Sequence, residues 1–188
     1  MYGLVNKALQ DFVCRHHGEE TWTRIRQRAG IKTPTFIGMQ SYPDEVTYAL
    51  VGAASAELSQ PAGDLLERFG EHWMVFTAVE GYGDLLRCAG TNYIGFLSTL
   101  NAMHARLRTV FPALKPPEIT VSDATATTCR LQYRSERPGL ARFVVGLLKG
   151  LGRLYQVDVD VAQVGSKDSG APCDEFTIAT RPAHAASA

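Results

Sequence analysis

The stretch YIGFLSTLNAMHARLRTVFPALKPP, residues 93–117, decides the fold and carries the first functional clue. Steps of four and three residues place its apolar side chains in one stripe along a helix: Tyr93, Leu97, Leu100, His104, Leu107 and Phe111. Every member except His104 is apolar or aromatic. Since an unpaired buried polar group costs about 1–3 kcal/mol, His104 must either bond a neighbouring carbonyl or bind a metal or haem iron as a neutral imidazole. On this helix alone the carbonyl-bonded core histidine is the commoner case, and both alternatives stay open.

Composition excludes several functional classes. The chain has 188 residues, enough for one domain or two small ones with a sizeable core. Its 45% hydrophobic residues, 20% charged residues and zero net charge argue against a nucleic-acid surface. The absence of a long apolar run or a signal peptide predicts a cytoplasmic protein with no membrane contact. Four scattered cysteines without zinc spacing indicate reduced structural thiols: Cys14, Cys88, Cys129 and Cys173.

The character of the chain changes at Pro116-Pro117, and this predicts an α+β fold. Residues before this point have helical periodicity, whereas strands are predicted at 118–122, 126–135, 157–161 and 176–180 around a long apolar helix at 138–155. We therefore expect a helical N-terminal subdomain packed on a C-terminal subdomain with an antiparallel four-stranded sheet and a long helix. Residues 1–181 would form a single domain, and the small residues of 182–188 predict a disordered tail.

A second constellation follows the first predicted hairpin strand. Tyr133, Ser135 and Arg137 alternate, so the period of two directs their side chains to one face. Two hydroxyls and a guanidinium make a donor cluster for anionic oxygens, and arginine suits carboxylates best. A solvated strand face is the commoner explanation for three such residues. Together with the striped histidine and the Pro-Pro turn, however, the cluster suggests haem, with iron on one element and propionates on the other.

These features lie within segments that resemble the H-NOX (haem nitric oxide/oxygen binding) domain. The matching segments occur in the family's order and cover the chain from Met1 to about Arg181: MYGLVNKAL at 1–9, LVGAAS at 50–55, EGYGDLL at 80–86, HARL with FPALKPP at 104–117, and YRSERPGLARFVVGLLKG at 133–150. The sequence is similar to cyanobacterial stand-alone members and to the N-terminal domain of the soluble guanylate cyclase β subunit.

The resemblance implies roles for particular residues. His104 matches the family's proximal histidine, the protein ligand to iron, and Pro117 matches a proline that holds the macrocycle out of plane. Tyr133, Ser135 and Arg137 match its propionate-binding triplet. Four further residues match positions that line the distal pocket, although ordinary core packing would explain each of them equally well: Val5, Trp73, Phe143 and Leu147.

Two departures from the family pattern are informative. Dioxygen-binding members carry a distal tyrosine that donates to the bound gas, whereas Phe143 occupies the corresponding position here and has no donor. Trp73 carries an indole N–H, which we expect to bond a carbonyl, as buried tryptophans usually do. Some members also bind zinc through cysteine and histidine near the C-terminus. Only Cys173 lies in that region, so no zinc is expected.

The resemblance implies a sensor rather than an enzyme. We expect haem b, five-coordinate in the ferrous state, to bind nitric oxide and carbon monoxide, and loss of the iron–His104 bond to free the helix and let the haem relax against Pro117. The chain ends soon after the last strand, so no fused cyclase is expected and the signal would pass to a separate histidine kinase or cyclic-dinucleotide enzyme.

Three alternatives remain. One is a dioxygen sensor with Trp73 as the distal donor. Another is an enzyme, either a metal hydrolase or a haem-dependent peroxidase. A peroxidase would need a distal histidine–arginine pair, for which His72 and Arg142 are the candidates. However, Trp73 rather than His72 is at the position that matches the pocket lining. The last is a cofactor-free binding module with His104 in its core.

Overall fold

A computed structural model of the chain describes residues 1–77, 83–88 and 90–183, without the side chains of residues 85, 87 and 88. The N-terminal part contains the helices α1 Gly3–His17, α2 Glu19–Arg28, α3 Asp44–Leu58, α4 Ala62–Thr77, α5 Gly83–Cys88 and α6 Tyr93–Val110. The C-terminal part contains β1 Glu118–Ser122, β2 Thr128–Arg134, α7 Ala141–Leu154, β3 Val157–Gly165 and β4 Asp174–Pro182. The predicted α+β architecture is confirmed.

The four strands form one antiparallel sheet in the order β1-β2-β4-β3. β1 and β3 are therefore the two edges of the sheet. Within the first pair, Ile119 of β1 lies opposite Tyr133 of β2. One face of the sheet packs against α7, whose Leu148 and Leu151 are buried with Leu131 of β2 and Phe176 of β4.

Helix α6 begins where the apolar stripe begins. The side chain of Asn92 caps it by accepting a hydrogen bond of 2.8 Å from the amide of Gly95, which satisfies one of the free donors of the first turn. The helix ends at Val110, and Phe111 is followed by Pro112, which cannot continue a helix. All of the stripe except Phe111, which directly follows the helix, therefore lies along a single helix that leads to the Pro-Pro turn.

Helices α4 and α7 pack backbone against backbone. A Cβ atom on Gly70 would lie 2.3 Å from the carbonyl oxygen of Phe143, and one on Gly146 would lie 1.9 Å from that of Glu67. An ion pair of 2.6 Å between Lys149 and Glu67 flanks this contact. Residues 72–77, HWMVFT, whose short apolar run fits either a strand or a helix, are the last part of α4. The close packing brings the side chains of this run near those of α7.

The apolar interior consists of two clusters of buried side chains. One lies among α1–α4 around Leu9, Phe12 and Leu50, and the other lies between α6, α7 and the sheet around Leu97 and Phe176. The first cluster belongs to the N-terminal part of the chain, whereas the second joins α6 of that part to α7 and the sheet. No helix among the described residues is both long and apolar enough to cross a membrane.

The C-terminal strand continues slightly past the predicted domain end at Arg181. Pro182 pairs with Val157, and the amide of Ala183 donates a hydrogen bond of 3.2 Å to the carbonyl of Gln156. These contacts order the first two residues of the expected tail. Residues 184–188 lie outside the described residues, so disorder there stays a prediction.

Candidate functional site

A cavity of about 410 Å³ lies between the two apolar clusters. Its walls come from α1, α3, α4, α6, α7, the sheet and the segment between α6 and β1, and most of the lining side chains are apolar. The cavity collects every site residue predicted from the sequence: His104, Tyr133, Ser135, Arg137, Pro117, Val5, Trp73, Phe143 and Leu147. Residues more than 140 positions apart in the chain therefore meet around one space, whereas the role of each stays a prediction.

His104 lies on the α6 wall, and its ring makes at most a poorly aligned hydrogen bond to the backbone of Pro117. Its Nδ1 atom is buried and makes no hydrogen bond of normal geometry. Its Nε2 atom makes no hydrogen bond to any described residue. Burial lowers the pKa of His104, and the backbone of Pro117 opposes this shift only in part. The ring is therefore neutral at neutral pH. A neutral imidazole that directs one N–H towards a nearby carbonyl keeps the lone pair of its other nitrogen for a metal.

The polar end of the cavity lies where β2 ends. Tyr133 is inside the strand, whereas Ser135 and Arg137 follow it, so the three residues share a direction without sharing a strand. The amide of Arg137 donates a hydrogen bond of 3.0 Å to Ser135 Oγ, which fixes this turn. Burial raises the pKa of Tyr133, while Ser135 and the charge of Arg137 oppose the shift. The phenol is therefore a neutral donor at neutral pH.

Arg137 is bound to a carboxylate that the sequence analysis missed. Its Nε donates to Asp44 Oδ2 at 2.6 Å and its Nη2 to Oδ1 at 3.3 Å, while Nη1 donates to the carbonyl of Lys115 at 2.8 Å. The N-terminal ammonium of Met1 also contacts Asp44. Burial acts to raise the pKa of Asp44, but the hydrogen bonds and charges of Arg137 and the ammonium outweigh it and hold this pKa below its usual value.

This pair shows that Arg137 is placed to bind a carboxylate at the edge of the cavity. The sequence signal for Asp44 was its position at the start of α3, where an acidic residue complements the helix dipole. That local explanation is sufficient for an isolated helix. It gives no sign of a partner 93 residues away.

The wall that the sequence resemblance assigns to the distal side is built from α1, α4 and α7. Phe143 packs on Phe69 with ring centroids 5.2 Å apart, and Phe69 makes an edge contact of 6.5 Å with Trp73. The expected hydrogen bond from the Trp73 indole to a carbonyl is not found among the described residues. The Nε1 atom of Trp73 is not fully buried. By contrast, the hydroxyls of Thr47 and Thr77, which also line the cavity, are both hydrogen-bonded. Among the residues that the structure describes, Trp73 is thus a donor without a partner on a largely apolar wall.

The candidate peroxidase pair does not meet at the cavity. His72 Nε2 lies 2.8 Å from Asp11 Oδ2, and this ring is absent from the cavity lining. Arg142 pairs with Glu67 at 2.5 Å on the outer side of the α4–α7 contact. No distal acid–base pair of histidine and arginine is therefore formed by the described residues.

The residues present fit haem. The cavity volume lies in the range of ligand pockets, about 300–1,000 Å³. A neutral imidazole with a free nitrogen lone pair on one wall suits iron, the apolar walls suit a porphyrin, and a guanidinium with two hydroxyls at one end suits its carboxylates. The bound Asp44 carboxylate shows that the guanidinium already has the right geometry for such a group.

Comparison with known proteins agrees with this assignment. A family model described as haem-NO-binding matches residues 2–163. Soluble guanylate cyclase gcy-31 of Caenorhabditis elegans is 28% identical over 160 residues, covering 85% of this chain and 23% of that protein. Soluble guanylate cyclase gcy-32 of the same organism is 28% identical over 169 residues, covering 88% and 25%. The chain thus spans about a quarter of the length of these relatives.

Solved structures share the fold. An H-NOX protein from S. oneidensis, in its Fe(II)NO ligation state, superposes with a TM-score of 0.86 at 19% identity, covering 96% of this chain and 99% of that one. The Fe(II) unliganded H-NOX protein from K. algicida gives 0.86 at 21% identity, with both chains covered completely. These likenesses confirm the predicted architecture.

Proposed function

This chain belongs to the haem-NO-binding, or H-NOX, family, and from that premise we propose that it is a haem-b sensor of nitric oxide and carbon monoxide with His104 as its iron ligand. H-NOX domains bind haem and act as sensors without catalysis of their own. The observation that carries the proposal is the neutral, poorly hydrogen-bonded His104 on the wall of an apolar cavity whose polar end holds Arg137.

Each part of the cavity has a role in this proposal. Ferrous haem bound through one imidazole supplies an open position for a diatomic gas. Tyr133, Ser135 and Arg137 donate to the propionates, and Arg137 shares its guanidinium between a propionate and Asp44. Pro117, whose backbone approaches the imidazole of His104, would contact the porphyrin face.

The distal wall favours gases that need no hydrogen bond. Val5, Phe143 and Leu147 have no polar side-chain atoms, and bound dioxygen is stabilised by a donor far more than nitric oxide or carbon monoxide is. With haem held by His104, loss of that ligand on nitric oxide binding would free α6, which carries the residue. Such a ligand-biased pair of states is what a sensor requires.

A second candidate, a dioxygen sensor, is favoured by one specific observation. Trp73 lines the cavity, and its indole N–H has no hydrogen-bond partner among the described residues. If this N–H reaches the gas, it supplies the hydrogen-bond donor that Phe143, in the position of the family's distal tyrosine, does not have. The two candidates therefore differ in the direction of a single donor.

The signal would pass to a separate protein, a histidine kinase or a cyclic-dinucleotide enzyme, in the cytoplasm. The family signals to partner proteins, and curated relatives are named as soluble guanylate cyclases. Helix α6 is the element that this proposal makes responsive, since it carries His104.

The test is the absorption spectrum of purified protein reconstituted with haem, reduced, and exposed separately to nitric oxide, carbon monoxide and air. We expect a ferrous spectrum with one histidine ligand, complexes with both nitric oxide and carbon monoxide, and no stable dioxygen complex. His104→Ala should lose the haem or need added imidazole to keep it. A stable oxy spectrum that Trp73→Phe abolishes would establish the second candidate, and a His104→Ala protein with unchanged spectra would overturn both.

A further inference from the structure

The main chain of Ile119 is paired on the free edge of the sheet by a side chain from α6. Asn101 Nδ2 donates to the carbonyl of Ile119 at 2.6 Å, and the amide of Ile119 donates to Asn101 Oδ1 at 3.0 Å. A carboxamide offers one donor and one acceptor side, as a peptide group does. Asn101 therefore pairs with edge strand β1 in place of a neighbouring strand.

The position of this pair links three residues of the proposed site. Asn101 precedes His104 by three residues on α6, so the two side chains lie on neighbouring parts of the helix surface. Ile119 follows Pro117 by two residues and lies opposite Tyr133 in the β1–β2 register. Two hydrogen bonds thus connect the helix of the proposed iron ligand to the segment of the proposed haem-face proline.

Two other side chains make hydrogen bonds to the main chain of residues 111–117, the segment that connects α6 to β1. The Tyr2 hydroxyl accepts a hydrogen bond of 3.1 Å from the amide of Ala113, and Arg137 donates to the carbonyl of Lys115 at 2.8 Å. Tyr2 belongs to the N-terminus and Arg137 to the turn after β2. Asn101 differs because it lies on α6 itself, so its bonds set the spacing between α6 and β1 directly.

We propose that Asn101 is a positioning residue that holds α6 against β1 and thereby sets His104 relative to Pro117. The link to gas sensing rests on the proposed function. Both Asn101 hydrogen bonds must break or stretch before α6 moves away from β1. Asn101 therefore opposes release of α6, and its loss favours the state in which the iron–His104 bond is broken.

Two variants and one control separate this role from general helix stabilisation. Asn101→Ala removes both hydrogen bonds. Asn101→Asp keeps an acceptor for the Ile119 amide but places a carboxylate oxygen against the Ile119 carbonyl. Thr109→Ala is the control, because Thr109 is an exposed residue of α6 whose hydroxyl bonds only the Arg106 carbonyl of the same helix. Both alanine substitutions raise helix propensity.

The first measurement is hydrogen exchange at the Ile119 amide in the haem-loaded, full-length protein. We expect exchange about tenfold faster in Asn101→Ala, as the loss of one hydrogen bond predicts, a smaller increase in Asn101→Asp, and no change in Thr109→Ala. The second measurement is the iron–histidine stretching band of the ferrous protein, together with the five-coordinate fraction of its nitric oxide complex. The band should shift and the five-coordinate fraction rise in Asn101→Ala but not in the control.

Each outcome decides a different point. Unchanged exchange at Ile119 would show that the hydrogen bonds do not hold β1, and faster exchange with an unchanged band and nitric oxide complex would reduce Asn101 to a structural residue; either overturns the proposal. If the wild-type protein binds no haem, the proposed function and the sensing role of Asn101 fail together, whereas exchange still reports whether the contact exists. If Asn101→Ala does not fold, Asn101→Asp supplies the same comparisons.

Discussion

Removal of the Arg137 guanidinium should weaken haem retention more than it weakens the fold. Arg137→Ala deletes two hydrogen bonds to Asp44 and one to the Lys115 carbonyl. Hydrogen bonds to charged groups contribute about 1.5–3 kcal/mol, but the Arg137 and Asp44 side chains are 19% and 33% exposed, and Asp44 keeps the ammonium of Met1. We therefore expect a loss of only about 1–2 kcal/mol in the free energy of unfolding.

The effect on haem follows from the propionate contacts that Arg137 is proposed to make. Losing about 1.5–3 kcal/mol of charge-assisted bonding corresponds to haem release that is about 10- to 160-fold faster. Ser135→Ala loses only a neutral hydroxyl bond and should change the rate less. Asp44→Asn should slow release, because it removes a negative charge near the propionates and frees the Arg137 guanidinium to bind them.

The assay is transfer of haem to an excess of a haem-scavenging apoprotein, followed by absorption, with urea denaturation of each variant to correct for stability. The predicted order of release rates is Arg137→Ala, then Ser135→Ala, then wild type, then Asp44→Asn. Equal rates in wild type and Arg137→Ala would refute the propionate assignment. Faster release from Asp44→Asn would refute the competition between Asp44 and haem for the guanidinium.

Three further predictions concern the ligand, the gas and pH. His104→Ala should abolish haem binding at micromolar protein, and added imidazole should restore the absorption spectrum; restoration by imidazole of a variant elsewhere in the cavity would count against this. Phe143→Tyr should create or lengthen a dioxygen-bound state, measured by stopped-flow absorption, with Trp73→Phe as the matched change that adds no donor. Burial lowers the pKa of His72, although its bond to Asp11 opposes the shift. The unfolded chain therefore binds this proton more readily than the folded protein does. The stability that neutral His72 contributes is complete above about pH 6.5 and is lost as the pH falls below it. In urea denaturation, His72→Gln should lose less of its free energy of unfolding on acidification than the wild type does.

The sequence predicted the elements whose pattern is local. The stripe from Tyr93 gave the start of α6, and the strand at 118–122 has the predicted bounds. Residues 72–77 fit a strand or a helix equally well because their run of four apolar side chains is too short to show a period. The structure resolves it as helix because Gly70 lets α4 continue in direct contact with α7.

The site was predicted better through its residue types than through its contacts. His104 and Arg137 could be chosen because a polar residue in a stripe and a period-two cluster are visible in one segment. The Asp44 partner of Arg137 and the Ile119 partner of Asn101 depend on how distant elements pack. The strand order β1-β2-β4-β3, which leaves Ile119 on an edge, also has no signature within any single strand.

The glycine contact between α4 and α7 has a consequence for how this chain can vary. At Gly70 and Gly146 the opposing backbones leave no room for a Cβ, so every possible single substitution there adds atoms. Most positions of a helix interface can drift towards smaller or larger residues, whereas these two can change in one direction only. We therefore expect a saturation library to show sharp intolerance at Gly70 and Gly146, and variants that do accept a side chain there to carry a second change across the helix pair.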